Sequence, residues 1–506
     1  MTRQFSQLPY YDRLHKQLQS LNEFVTPRAV LRYQSGIVST GSFTLPSPWT
    51  GEPLRSLDCY LANISPLGFG DIPIAYRFKC EHTFWLISGI VKDGFPLNEL
   101  YVPEWDCSPW SILAEQERDR NAAVRQQLRE IDDGPTEHPL PAGPPVLLLG
   151  HPNFAHNLWN ELPGLAVLEE RLSQSCPGLE VMTLCQPILS IEQGFASLGW
   201  PHKPVESLSA LLGRQWRIFT RVGSTQVSDS VRARLARSLR VCRDEAVTEP
   251  MRRQLEGCFP VVWMSARLDC RTAQNQEDMI IAAVLAMADE YPEAGFILDG
   301  FAYPDDFDNP VYMLPSGTHL ENGFRGATGD CVSSLGESLV AREREITSYI
   351  SRLQRRLESR VRNPVASTSG LRMTDTLFLG KMADYYICHA GSLQHKMGWI
   401  HNVAGIVHSN STGLGRGAAR WMARQVENGV EPTLIDSALV TDQGSIRGIN
   451  QVERNRDYRF VDIPGVVSQI LEDMARRLPD PQGGGEGGRP RGWRLWRNWL
   501  GRRNDR

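Results

Sequence analysis

The chain has 506 residues, 41% hydrophobic and 22% charged, with a formal net charge of −4. That length exceeds what one hydrophobic core usually sustains, so about two to four domains are expected. The near-balanced charge argues against nucleic acid as a partner for the whole chain, and the longest apolar run, 279–288, is too short to span a bilayer.

Residues 1–110 are rich in Pro, Gly and aromatics, with short β-prone runs at 75–78 and 84–91. Close punctuation by turn residues reads as a β-rich region. A charged helix over 111–131 completes an N-terminal unit, 1–131. The stretch 132–145, DDGPTEHPLPAGPP, is a Pro/Gly linker and the clearest boundary in the chain. From Val146 the texture changes. Strand-like runs at 146–149, 179–184 and 216–222 alternate with a helix at 158–168 and another at 190–198, and an arginine-rich helix over 227–246 follows. The alternation restarts with strand 260–264, helix 276–291 and strand 295–298. Then come a long charged helix 337–362, helix 374–383, strand 385–388, helix 392–401, strand 405–408 and helix 416–427. Alternating strands and helices predict parallel sheets covered by helices. The expectation is therefore an α/β chain with two Rossmann-like lobes, 146–257 and 258–478, facing each other. Ten cysteines without a C-x-x-C pair suit thiols in a reducing, cytoplasmic setting. The polar N-terminus, MTRQFSQLPYYDRLHKQLQS, has no secretory apolar core. The last segment, 479–506, joins a GGGEGG tether to RPRGWRLWRNWLGRR. If helical, it sets Trp493, Trp496 and Leu500 on one face among arginines, which suits contact of 489–503 with a membrane surface.

Four segments could carry chemistry. The first, PVLLLGHPNFAHNLWNELPGLAVLEE, places His151, Asn153 and His156 in a loop at the carboxyl end of a strand, where open α/β sheets bind ligands. His156 with Glu161 reads either as a capping histidine beside a solvated carboxylate or as a base with a carboxylate to orient it. The second, SARLDCRTAQNQED, follows strand 260–264 and offers Arg267 and Arg271, with Asn275 and Glu277 entering a helix. Guanidinium forks suit phosphate oxygens. The third, 381–410, delivers His389 at a strand end and then Ala390, Gly391 and Ser392 at a helix start, where small residues allow a phosphate close to the backbone. The spacing of His389, His395, His401 and His408 does not form a metal-binding helix face. The fourth, GLGRGAAR, has Gly413, Gly415 and Ala418 in a G-x-G-x-x-A pattern with Asp436 downstream. As a dinucleotide fingerprint it suffers from SNST between strand and glycine. Asp305-Asp306-Phe307-Asp308 reads as a solvated turn rather than a metal triplet.

Three of these segments, in this order, resemble glycosyltransferase family 61. HNLWNELPGL (156–165) resembles its HWxxxxLPRL segment. Arg267, Arg271, Asn275 and Glu277 resemble its arginine-and-asparagine loop, and HAGSLQH (389–395) resembles its HGAGLTN turn. Asn157 stands in place of Trp, Gly164 of Arg, Ala390 of the first glycine and His395 of Asn. The resemblance implies a GT-B-like, inverting transferase that takes a nucleotide sugar without cofactor or essential metal. It implies a saccharide or lipid-linked acceptor and, with the basic tail, a place at the inner membrane surface. His156 and Glu161 would be catalytic, and Arg267, Arg271, Asn275, His389, Gly391 and Ser392 would bind the donor. Two alternatives stay open: a non-catalytic glycan- or partner-binding protein of the same fold, and a dinucleotide-dependent oxidoreductase using the Gly413 loop.

Overall fold

Antiparallel pairing dominates the N-terminal part and parallel pairing the rest. A computed structural model describes residues 5–62, 72–89, 94–113, 115–131, 143–151, 153–172, 179–186, 188, 190–195, 199–206, 208–268, 271–306, 339–415, 424–446 and 456–479. Helices Tyr11–Leu21 and Arg32–Thr40 precede a hairpin of β1 (Thr44–Pro46) and β2 (Pro53–Arg55). A meander follows: β3 (Asp58–Leu61), β4 (Ile74–Lys79), β5 (Thr83–Ser88), β6 (Leu97–Val102) and β7 (Cys107–Ser111), then helix Glu115–Arg129. Side chains alternate across the sheet with the two-residue strand period. Tyr76, Phe78, Phe84 and Leu86 enter one core, while Ala75, Trp85 and Ile87 meet Val124 and Leu128 of the helix on the other face.

The first parallel sheet contains β8 (Val146–Leu149), β9 (Glu180–Thr183) and β10 (His202–Pro204). The next strand, β11 (Gly213–Gln215), leaves this sheet and pairs with the edge of β3. There Arg214 joins Arg77 on the buried Asp58 carboxylate, at 2.8 and 2.6 Å. β12 (Phe219–Thr220) returns, giving the order β10-β9-β8-β12. Val146 and Leu148 pack into the N-terminal core, whereas Leu147 and Leu149 face helix Leu162–Leu172. The linker at 132–145 thus separates two units in sequence that share a core and a sheet.

The second parallel sheet is built from β13 (Val261–Ser265), β14 (Gly295–Asp299), β16 (Val365–Ser367), β18 (Tyr385–His389), β19 (Ala404–His408) and β20 (Thr433–Leu434). Two short pairs flank it: β15 (Ala302–Tyr303) with β17 (Leu371–Arg372), and β21 (Val440–Ile446) with β22 (Arg456–Phe460). The order β16-β14-β13-β18-β19-β20 is parallel throughout. Val262 and Met264 point to the side covered by helices Gln276–Glu290, Leu339–Glu358 and Ile463–Arg477, and Val261 and Trp263 point to the other. The chain is therefore α/β with two parallel-sheet lobes, the arrangement of a GT-B-like plan.

Several local expectations change. The helix expected over 227–246 breaks at Arg243, because Asp244 caps a new helix, Glu245–Gln254, by accepting from the Ala246 N–H. The helix expected over 190–198 is described only as Ile191–Gly194, and 196–198 lie outside the described residues, as does most of the helix expected over 416–427. Asp305 and Asp306 lie in the expected turn, but half-buried and hydrogen-bonded rather than solvated. Asp305 accepts from the Thr374 N–H at 3.0 Å and from its hydroxyl within the second lobe, and Asp306 accepts from the Gln186 N–H at 2.7 Å, which fastens that lobe to the first. Phe307 and Asp308 lie outside the described residues. Seven cysteines, at 59, 80, 107, 185, 242, 258 and 388, are free thiols among the described residues. No helix among those residues is long and apolar enough to cross a membrane.

The Asp305–Thr374 contact, a latch within the second lobe, yields a pH prediction. Burial pushes its carboxyl up to about 7, against the opposing hydrogen bonds from Thr374. A carboxyl whose folded pKa lies above its unfolded value supports the fold fully only below the unfolded value, and that support is lost as pH rises through the folded one. Urea unfolding of native chain and Asp305→Asn between pH 4 and 8 should show the native chain losing ground steadily as pH rises. A stability difference independent of pH would refute the latch.

Candidate functional site

In each parallel lobe the chain first builds outward on one side of its opening strand and later on the other. The lobes therefore have switch points between β8 and β12 and between β13 and β18. Crevices at the carboxyl ends of strands at such points are where open α/β sheets bind ligands. The segments predicted to carry chemistry sit there: 150–161 after β8, 267–275 after β13 and 389–395 at the end of β18.

After β8 the chain turns at Gly150, whose φ is +90°. A Cβ there would come within 2.4 Å of the Cys185 carbonyl oxygen, so no other residue fits this close approach. A short helix, Phe154–His156, runs into a π-helical turn, Asn157–Glu161, and then into helix Leu162–Leu172. Pro163 has no N–H for an i→i−4 bond and thus cannot extend the α-helical ladder back across this junction.

Glu161 is 1% exposed. Its Oε2 accepts from the Gly150 and His151 N–H groups at 3.0 and 2.8 Å and from Asn157 Nδ2 at 2.9 Å; Arg221, also buried, lies 3.6 Å from Oε1. The expectation that Glu161 orients or replaces His156 is corrected by this geometry. Its carboxylate clamps the turn. The residue that meets the imidazole is Asn160: its Oδ1 lies 3.0 Å from His156 Nδ1, and its Nδ2 donates to the Ser224 carbonyl at 2.8 Å. The amide orientation follows from that second bond, so Nδ1 carries the proton and Nε2 the lone pair. His156 is half-buried, its ring 5.1 Å from that of His151.

In the second lobe, Arg267 is 1% exposed. Its N–H donates to Gln276 Oε1 at 3.1 Å and its carbonyl accepts from Gln276 Nε2 at 2.7 Å. Gln276 Oε1 also lies 3.4 Å from His389 Nε2. Arg271 adopts a left-handed φ of +54° on a loop zipped to β22 through Thr272, Gln274 and Tyr458. Burial first, then His408, Arg267 and Arg271, holds the His389 imidazole well below its ordinary range. Both arginines thus oppose a charge on His389. Asn275 does not. Its amide exchanges two bonds of 3.0 Å with the Phe460 backbone, so it pins β22 and is not available to a donor.

The turn after β18 needs Gly391, whose φ of 115° and ψ of −152° suit glycine alone. Ser392 is buried and its Oγ has no hydrogen-bond partner. A helix turn, Ser392–His395, is followed by a second π-helical turn, Lys396–His401, where one continuous helix over 392–401 was expected. Lys396 is fully buried on Asp299, at 3.0 and 3.1 Å.

These turns meet. The short helix Phe154–His156 packs against Ser392–His395. Trp159 lies 6.2 Å from the His156 ring and 5.8 Å from Trp399, and Trp399 stacks on His395 at 3.5 Å. Sequence reasoning missed Asn160, Gln276, Tyr458 and the Lys396–Asp299 pair. Asn160 was readable as the i+4 neighbour of His156; the others depend on distant segments. Glu277, placed in the arginine loop, instead pairs with Arg356 at the surface. The Gly413 segment is helical, Ser411–Gly415, and Asp436 caps a turn by accepting from the Ala438 N–H, so neither takes the fingerprint geometry; 416–420 lie outside the described residues.

No protein-family model matches the chain, and no curated protein matches it. Loosely similar solved structures include a glycosyl transferase family 9 protein from Veillonella parvula DSM 2008, with a TM-score of 0.26 and 8% identity over 62% of this chain and 76% of that one. Others are a trehalose 6-phosphate synthase from Burkholderia multivorans (0.26, 10%, 72% and 72%) and a UDP-GlcNAc 2-epimerase from Methanocaldococcus jannaschii (0.24, 11%, 65% and 76%).

Glu161→Ala should unfold at lower denaturant, by about 3–5 kcal/mol, because it strands the turn N–H groups and a buried guanidinium. Glu161→Gln should lose less. Native stability in the alanine variant would mean that the carboxylate is not a structural clamp.

Proposed function

We propose that this chain is a glycosyltransferase that moves a sugar from a nucleotide-sugar donor to a hydroxyl acceptor with inversion and without an essential metal. The observation that carries the reading is the packing of two switch-point turns: a tautomer-set histidine ends the short helix of one lobe that packs against Ser392–His395, the turn that follows His389 in the other. The resemblance of 156–165, 267–277 and 389–395 to family 61 supports the same assignment.

In this reading the donor diphosphate lies against Arg267, Arg271 and the Gly391–Ser392 backbone. Arginines and N–H dipoles stabilise the charge that grows on the departing diphosphate. The acceptor oxygen attacks the anomeric carbon as the bond to the diphosphate oxygen breaks. Its proton passes to His156 Nε2, and Asn160 Oδ1 steadies the resulting imidazolium through Nδ1–H. Glu161 and Asn275 act only as supports. The departures from the family pattern at 157 and 164 are compatible with activity: Asn157 bonds Glu161, and a side chain at Gly164 would meet Val222 at 2.8 Å. The acceptor is a saccharide or lipid-linked glycan, and the basic 489–503 segment, outside the described residues, holds the enzyme at the inner face of a membrane.

Donor hydrolysis over a panel of UDP- and GDP-sugars tests the assignment. His156→Ala should lower kcat by about 10²–10⁴-fold, Asn160→Ala should lower it less, and Arg267→Ala should abolish donor binding. EDTA should leave the rate unchanged. Native turnover in all three variants would exclude the assignment. For the tail, co-sedimentation with phosphatidylglycerol vesicles should be lost on truncation after 479; equal sedimentation of both forms would rule out that role.

A further inference from the structure

Behind the two arginines lies a buried chain of polar groups whose proton positions can be read from its hydrogen bonds. Gln276 Nε2 donates to the Arg267 carbonyl, so its Oε1 faces His389 Nε2, which must then carry a proton. His389 Nδ1 is left with the lone pair and accepts from the Tyr458 hydroxyl, 3.1 Å away. The same hydroxyl oxygen is 2.5 Å from His408 Nδ1, which therefore donates to it. His408 Nε2 ends the chain with a lone pair, buried and without a hydrogen-bond partner. His389, Tyr458 and His408 are each 1% exposed or less. The imidazole rings are 4.2 Å apart.

We propose that, on the nucleotide-sugar reading above, the His389–Tyr458–His408 chain takes up one proton when the diphosphate binds, so that the leaving group departs against an imidazolium as well as two guanidinium groups. The proton balance is explicit. A solvent proton adds at His408 Nε2, the His408 Nδ1 proton moves to the Tyr458 oxygen, and the Tyr458 proton moves to His389 Nδ1. His408 ends neutral with its proton on Nε2, Tyr458 is unchanged, and His389 carries both N–H groups and the charge. The reverse shift returns one proton to solvent when the nucleoside diphosphate leaves.

The charges facing the chain explain why an anion is needed. Arg267 and Arg271 act on His389 and Tyr458, and burial holds His408 down to about 3. Asp457, fully buried beside Tyr458, is the acid on the same strand, and its Oδ1 accepts from the Thr272 N–H. In the free protein the nearest charges are therefore mainly positive and both imidazoles are neutral at pH 7. A diphosphate brings negative charge to the arginines and reverses the field at His389. Passing the proton along the chain needs no reorientation, because every intermediate donor already faces an acceptor, and the diphosphate offsets the added positive charge.

The test uses the full-length protein and UDP as the probe. Isothermal titration in buffers of different ionisation enthalpy should give close to one proton taken up per UDP bound at pH 7.5. Because uptake accompanies binding, UDP affinity should fall as pH rises, by up to about tenfold per pH unit for one linked proton. Tyr458→Phe interrupts the chain while keeping its ring, so UDP should still bind but with uptake well below one and a flattened pH profile. A merely structural role for Tyr458 would leave the proton count unchanged. UDP binding with a buffer-independent heat overturns this inference alone. Failure of both UDP and GDP to bind overturns the nucleotide-sugar reading and the inference with it.

Discussion

The contact on which the site depends is between two tryptophans, Trp159 from one lobe and Trp399 from the other, with ring centroids 5.8 Å apart. Each belongs to a π-helical turn that follows the carboxyl end of a central strand after a loop and one short helix. If the lobes met elsewhere, a histidine at the end of one sheet and arginines at the end of the other would be two unrelated polar corners. The aromatic contact is backed by a shared core in which Met373, Leu377, Trp399, Ile400 and Val426 pack with Leu158, Leu162 and Leu235. Apolar burial of that kind contributes about 1.5–3 kcal/mol per large side chain. It fixes the lobes through many residues, while the hydrogen bond from the Gln186 N–H to Asp306 adds direction.

Widened turns at this junction have a physical reason. A π-helical turn inserts one residue and rotates the following side chains relative to those before it. In the first lobe this lets His156 and Trp159 look toward the neighbouring lobe while Glu161 points back under the Gly150 turn. In the second, His395 and Trp399 stack at the junction while Lys396 is drawn down onto Asp299. In both, a buried charge beneath the turn holds a polar or aromatic group above it. Burying such charges is tolerable because each is multiply hydrogen-bonded.

Much of this was readable from sequence, for identifiable reasons. The strand-loop-helix rhythm after Val146 follows from short apolar runs separated by amphipathic stretches, and it located the loops at 150–156, 267–275 and 389–395. What sequence could not show was set by partners far along the chain. The strand Gly213–Gln215 crosses to the N-terminal sheet because its Arg214 completes the charge around Asp58, some 150 residues earlier. Tyr458 reaches His389 from a strand beyond the last segment with a recognisable pattern. A local carboxylate at i+5 attracted attention to Glu161, but only the fold reveals that backbone N–H groups and Arg221 claim it first.

The same clamp accounts for two neighbouring positions, Asn157 and Gly164. Asn157 supplies the third hydrogen bond to Glu161, and Gly164 lets the helix approach Val222 and Gly223, next to the Ser224 carbonyl that orients Asn160. A tryptophan at 157 could not donate from the same place, and any side chain at 164 would push away the strand end on which the His156 tautomer depends. Both positions thus act on His156 through the carboxylate and the strand end: one holds the turn, and the other leaves room for the carbonyl that sets the imidazole's tautomer.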